Sequence, residues 1–190
     1  IPKIVEKQKK LPTIHQNLGS ISKQASKPDF TILVELIITD NEERTLENTL
    51  KTLGFNEIKL KRHLYFGFTM KHKNNLKKSI EKLLASGEIL NLNKETPIVF
   101  IGKDSYKYNK STGLEKTPNP LATGKHYIAM EYENNLGKSL KNSLKNHLHE
   151  NEIISLERGI HWTICNTPKT LEVINTHIFH NPNSMKLVEV

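Results

Sequence analysis

Thr45-Leu46-Glu47-Asn48-Thr49-Leu50-Lys51-Thr52 returns, little altered, as Ser139-Leu140-Lys141-Asn142-Ser143-Leu144-Lys145-Asn146, an offset of 139 − 45 = 94. The likeness extends outward from both segments. Each is followed by Asn-Glu-Ile, at Asn56 to Ile58 and at Asn151 to Ile153. Next come Leu60, Arg62, Leu64, Tyr65 and Phe66 in one case, and Leu156, Arg158, Ile160, His161 and Trp162 in the other. Two copies of one supersecondary unit on one chain tend to pack about a pseudo-two-fold axis, and such symmetry serves assembly more often than chemistry.

The periodicity around each copy sets the expected elements. Phe30 to Thr39 is a β-forming apolar run, followed by Asp40 with Glu43 three residues on, the signature of a helix N-terminus. Leu46, Leu50 and Leu53 recur at helical spacing, and Gly54 is a natural stop. The aromatic-rich span 57–70 reads as β structure, with a hairpin expected. A helix over 75–85 and a strand over 98–101 complete the unit. In the second half, 127–132 reads as a strand, 137–149 as a helix and 153–165 as β. A helix over 168–180 follows, with Thr167 as its cap and Pro168 as its first residue, and a strand over 185–190 closes the chain.

The expected fold is therefore α+β: two tandem ferredoxin-like βαββαβ units packed as a pseudo-dimer, preceded by a basic flexible arm. The boundaries fall at 1–28 for the arm, 29–102 for the first unit, 103–125 for a linker and 126–190 for the second unit. The arm is Lys- and Ser-rich, with Pro2, Pro12 and Pro28. The linker holds Gly113, Pro118, Pro120 and Gly124 and has no periodicity.

The formal charge of +8 over 190 residues favours nucleic acid, phosphate-rich ligands or acidic protein surfaces as partners. The single cysteine, Cys165, excludes an intrachain disulfide and a Cys-based zinc cluster, and its apolar surroundings make it a small core residue. No apolar run approaches the roughly 20 residues of a membrane span. A cytoplasmic location is expected, or an organellar matrix if a targeting segment precedes Ile1.

Catalytic signatures are missing. The acids are scattered along helix faces, no serine sits in a G-x-S-x-G elbow, and no phosphate loop is present. Among nine histidines, His147 and His149 point to different helix faces, and His177 and His180 have spacing to meet, with no further ligands beside them in sequence. We expect no metal, no cofactor and no catalytic residue. What stands out are Arg62, Tyr65, Phe66, Arg158, His161 and Trp162 on the β-segments, with Asn181 in the closing turn. Alternation puts neighbours on opposite faces, one toward the helices and one open to a second sheet, a partner or a ligand. The two sheets are expected to pack face to face.

These residues carry a family likeness. LGFNEIKLKR (residues 53–62), with the helix and LLAS (residues 83–86) after it, is similar to the small S subunit of phosphoribosylformylglycinamidine synthase, the amidotransferase of purine biosynthesis. In the second half SLKNSLKNHL, LERGIHWTI, TLEVINTHIFHNP and MKLVEV follow the same order, and His180-Asn181-Pro182 matches the turn after the second helix. LERGI also resembles a segment of the long single-chain enzyme, whose N-terminal domain behaves as two fused S subunits. An Arg-x-Gly-Lys run usual in the central strand is replaced here by Arg62-His63-Leu64-Tyr65 and Arg158-Gly159-Ile160-His161. The resemblance implies a scaffold without its own active site that bridges an ATP-using synthetase and a glutaminase. Two alternatives stay open. One is an RNA-binding or ribosome-associated protein, for which Tyr65-Phe66-Gly67-Phe68 would be the stacking strand. The other is an enzyme with a cleft between the copies.

Overall fold

The computed structural model describes residues 22–23, 27–121, 123–148 and 152–190. Most of the expected basic arm lies outside them. In chain order the elements are β1 (Ser22–Lys23), β2 (Phe30–Leu36), α1 (Asn41–Thr52), β3 (Lys59–Met70), α2 (Leu76–Ala85), β4 (Glu95–Ile101), β5 (Asp104–Asn109), β6 (Gly113–Thr117), β7 (Lys125–Glu131), α3 (Asn135–Leu148), β8 (Ile153–Cys165), α4 (Thr170–Ile174) and β9 (Met185–Glu189).

All the strands join one sheet in the order β1-β9-β7-β8-β3-β2-β4-β5-β6. The eight strands β2 to β9 pair antiparallel, and the two residues of β1 add a parallel edge to β9. The halves meet edge to edge through β3 and β8. The expected face-to-face packing of two sheets is not formed, because β3 and β8 use their free edges on each other over 12 residues of β3.

Two further expectations are corrected. The hairpin within 57–70 is a single strand, β3. Gly67 is its only turn-favouring residue, and the alternation Leu60, Arg62, Leu64, Phe66, Phe68 continues through it. Each half therefore runs β-α-β-α-β before any extra strands. The span expected as a linker holds β5 and β6, a hairpin that widens the sheet beyond β4. Its Lys, Asn and Tyr content hides the alternation that places Tyr106 inside and Lys107 outside.

Local signals explain the helix limits. The Asp40 carboxylate accepts from the Glu42 and Glu43 amides at 3.0 and 3.1 Å, capping α1 as expected. Gly54, at φ 99°, ends it. The second-half helix expected over 168–180 is a short turn, 170–174. Thr167 Oγ1 accepts from the Lys169 amide at 3.1 Å but lies two residues before Lys169, which caps the helix, and His177 turns left-handed at φ 53°.

The helices cover one face and build two cores, each drawing on both halves. One gathers Ile32, Phe66, Phe68, Ile80 and Leu83 with Leu144 of α3 and Leu156 of β8. The other gathers Tyr127, Trp162, Val173 and Leu187 with Leu50 of α1 and Leu60 of β3. Leu50 and Leu144, which match in the repeat, are both fully buried. Each long helix therefore completes the core of the opposite half. Gly137 permits this for α3, since a Cβ there would lie 2.2 Å from the Leu156 carbonyl oxygen.

The other face is bounded by the connection from β6 to β7. Register runs Thr117, Ser105, Phe100, Thr31, Gly67, Glu157 across the sheet, whereas Lys125 lies beside Ile164. On a flat sheet Thr117 and Lys125 would be about 29 Å apart across the strands and about 24 Å along them, so about 37 Å in all. Eight residue steps reach at most about 28 Å. The sheet is therefore coiled, and the connection spans its hollow side, where Leu121 packs beside Leu33, Tyr65, Ile128, Met130 and Val188. No helix among the described residues is long and apolar enough to cross a membrane.

Candidate functional site

The central pair β3·β8 carries six of the seven candidate residues. Leu64 and Ile160 are register partners, and they match in the repeat at an offset of 160 − 64 = 96. On either side of them, Arg62 faces Trp162 and Phe66 faces Arg158. The same offset relates Arg62 to Arg158 and Phe66 to Trp162, so these two cross-strand pairs exchange about the Leu64–Ile160 point. Beyond them, Leu60 faces Ile164 and Phe68 faces Leu156.

These residues lie on the helix-covered face. Phe66 and Trp162 are core residues, and Trp162 meets Phe179 edge-on at 5.3 Å. The Trp162 Nε1 is buried without a hydrogen-bond partner among the described residues. The Arg158 guanidinium lies 5.9 Å from the Phe66 ring centre, a favourable geometry for a cation over an aromatic ring. Arg62 is held by α1: Nη1 donates to Asp40 at 2.9 Å and Nη2 to Glu42 at 2.6 Å. Leu64, Ile160, Arg62 and Arg158 remain half-buried.

The long strands overhang their neighbours, and the helices complete them. β2 pairs β3 only along 64–68, which leaves 59–63 without a strand on that side. There Glu43 accepts from the Arg62 amide at 2.8 Å and Glu47 from the Leu60 amide at 3.0 Å. Two carboxylates one helical turn apart thus stand in for a missing strand. Burial holds Glu43 above the usual carboxylate range despite that bond. Burial also pushes Glu47 up, but the Lys51 ammonium and the Leu60 amide outweigh it and hold the group below that range. On β8, Asn134 does the same work: Nδ2 donates to the Leu156 carbonyl at 2.7 Å, and Oδ1 accepts from the Arg158 amide at 3.2 Å.

The remaining candidates fall on the hollow face or away from the pair. Tyr65 is buried there, and its hydroxyl donates to Glu157 at 3.2 Å across Gly67. His161 faces His63, its register partner, with the two Nδ1 atoms 3.4 Å apart. His126 stacks on His161 at 5.4 Å, and its Nδ1 is 3.2 Å from Thr163 Oγ1. Burial is the main cause that lowers His63 to about 4 and His161 to about 3, so both rings are neutral near pH 7. Asn181 stands apart, its side chain accepting from the Asn183 amide at 3.0 Å in the turn before β9. Neither His63 nor His126 stands out in the sequence; the antiparallel register that sets Arg62 against Trp162 is the signal that points to His63.

No group of three or more potential ligands among the described residues can hold a metal ion. His177 and His180 do approach, with ring centres 6.0 Å apart, while His149 lies outside the described residues. Cys165 is half-buried and bonds the Thr123 carbonyl at 2.8 Å, with its thiol raised by burial. The chain matches no protein-family model, no curated protein and no solved structure.

Proposed function

We propose that this chain is an internally duplicated scaffold that acts by protein–protein contact. Its expected role is that of the S component of phosphoribosylformylglycinamidine synthase, bridging a synthetase and a glutaminase in the cytoplasm. The observation that carries the proposal is the exchange of Arg62/Trp162 with Phe66/Arg158 about Leu64 and Ile160. An arrangement related by two-fold exchange offers equivalent faces to its surroundings, as a bridging part needs. The residues of that strip serve packing and backbone completion, and half-buried Leu64, Arg158 and Ile160 provide the contact surface.

The alternative, RNA binding, rests on the net charge of +8. It gains nothing from Tyr65, Phe66 and Phe68, since each is at most 2% exposed and stacking on a base needs an open ring.

The test is affinity capture with the purified chain from native extract, split into nuclease-treated and untreated halves and read by mass spectrometry. Recovery of a glutaminase and an ATP-dependent synthetase in both halves is expected. Ribosomal proteins or RNA lost on nuclease treatment would replace the scaffold with the alternative. Turnover by the chain alone would sink both.

A further inference from the structure

The hollow face of the sheet holds a half-open pocket of about 190 Å³. Leu33 and Tyr65 line it from the first half and Ile128 and His161 from the second, with Leu121 of the β6–β7 connection and Phe100 of β4 also in its wall. Leu33 and Tyr65 are register partners, as are Ile128 and His161. The cavity therefore straddles the β3·β8 junction, and both halves are needed to form it. We infer that this cavity is a binding site for a small uncharged aromatic molecule of single-ring size that carries one hydrogen-bonding group.

Three observations fix that class. The first is size: an apolar space of roughly 150 Å³ is enough to take up benzene. The second is charge. Leu33, Phe100, Leu121 and Ile128 are aliphatic or aromatic, and the Tyr65 hydroxyl is already engaged by Glu157. Lys27, which is exposed, is the one residue of the lining with a fixed side-chain charge. A charged ligand would lose its hydration against such walls without compensation, so a neutral one is selected. The third is the wall residue His161, 97% buried by its 3% exposure. Its Nδ1 faces His63, and its Nε2 makes no hydrogen bond with the described residues. A neutral imidazole nitrogen at an apolar wall accepts from or donates to a ligand hydroxyl or ring N–H.

The experiment is titration of the purified full chain with phenol and with benzene, followed by NMR chemical shifts and thermal midpoint. Saturable binding of both is expected, with phenol roughly fivefold tighter, the worth of one hydrogen bond. Each should raise the thermal midpoint with concentration, since it binds the folded state. Leu121→Trp, which fills the cavity from the connection, should abolish both, and Phe100→Trp gives an independent filling variant if the first fails to fold. His161→Phe should keep benzene binding and erase the preference for phenol. Absence of saturable binding, or equal binding in a folded filled variant, would overturn the site. Equal affinity of the wild type for phenol and benzene would overturn the role of His161.

Discussion

Leu64 and Ile160 face each other across β3 and β8 at the one register position where a residue meets its own counterpart in the repeat. Everything that flanks them on the helix side comes in exchanged pairs. The composite cores follow, because a helix packed on the central pair reaches across to the other half's strands.

Leu50 and Leu144 should therefore be equally sensitive although they sit in different halves. Both are fully buried. Truncation to Ala at either position should cost about 2–5 kcal/mol, as leucine truncations in packed cores do. Urea unfolding should show one transition in each variant. Two transitions would mean that the halves are independent.

Separate expression of residues 27–117 and 125–190 should give fragments without cooperative unfolding, while their mixture recovers β signal by circular dichroism. Each fragment lacks the helix that fills its core, Leu144 in one case and Leu50 in the other. A fragment that melts cooperatively alone would contradict the shared cores.

Stability should fall as the solution is acidified from about pH 6.5 to about pH 4. His63 and His161 are held at about 4 and about 3, below the 6.5 of an exposed histidine. In that window the unfolded chain binds protons that the folded chain refuses, so stability rises with pH and is lost as pH drops. Glu35, Asp40 and Lys61 act on His63, and His126 on both rings, so they modulate the midpoint. Urea midpoints at several pH values provide the measurement. Replacing both histidines by Phe should flatten the profile; an unchanged slope would place the titration elsewhere.

Arg62→Ala should destabilise by about 2 kcal/mol, the worth of hydrogen bonds to charged groups, because Asp40 and Glu42 lose their partner. Arg62→Lys should recover only part, since one ammonium cannot span both carboxylates as the fork does. Full recovery would mean that charge alone matters. Trp162, the only tryptophan, provides the fluorescence readout.

The repeat, the long helices and the Asp40 cap were legible because each is local: spacing, a capping side chain, a glycine. What escaped was pairing. Arg62, Phe66 and Trp162 look like an open strand face in isolation, yet α1 holds Arg62, α1 and α4 close over Trp162, and α2 and α3 close over Phe66. The β5–β6 hairpin escaped because polar residues such as Lys107 of β5 and Lys116 of the edge strand β6 fill its outward positions, so its alternation is weak. The break in α4 escaped because the left-handed turn at His177 is made by a residue other than glycine, which no local signal marks.

Each half's first long helix lies in the other half's core, so joining the halves on one polypeptide sets their effective concentration by the length of the connection, not by how much protein is present. Assembly then survives any dilution. It also lets the halves differ: a pair of identical subunits must carry the same face twice, whereas here Tyr65 is matched by His161 and Phe66 by Trp162.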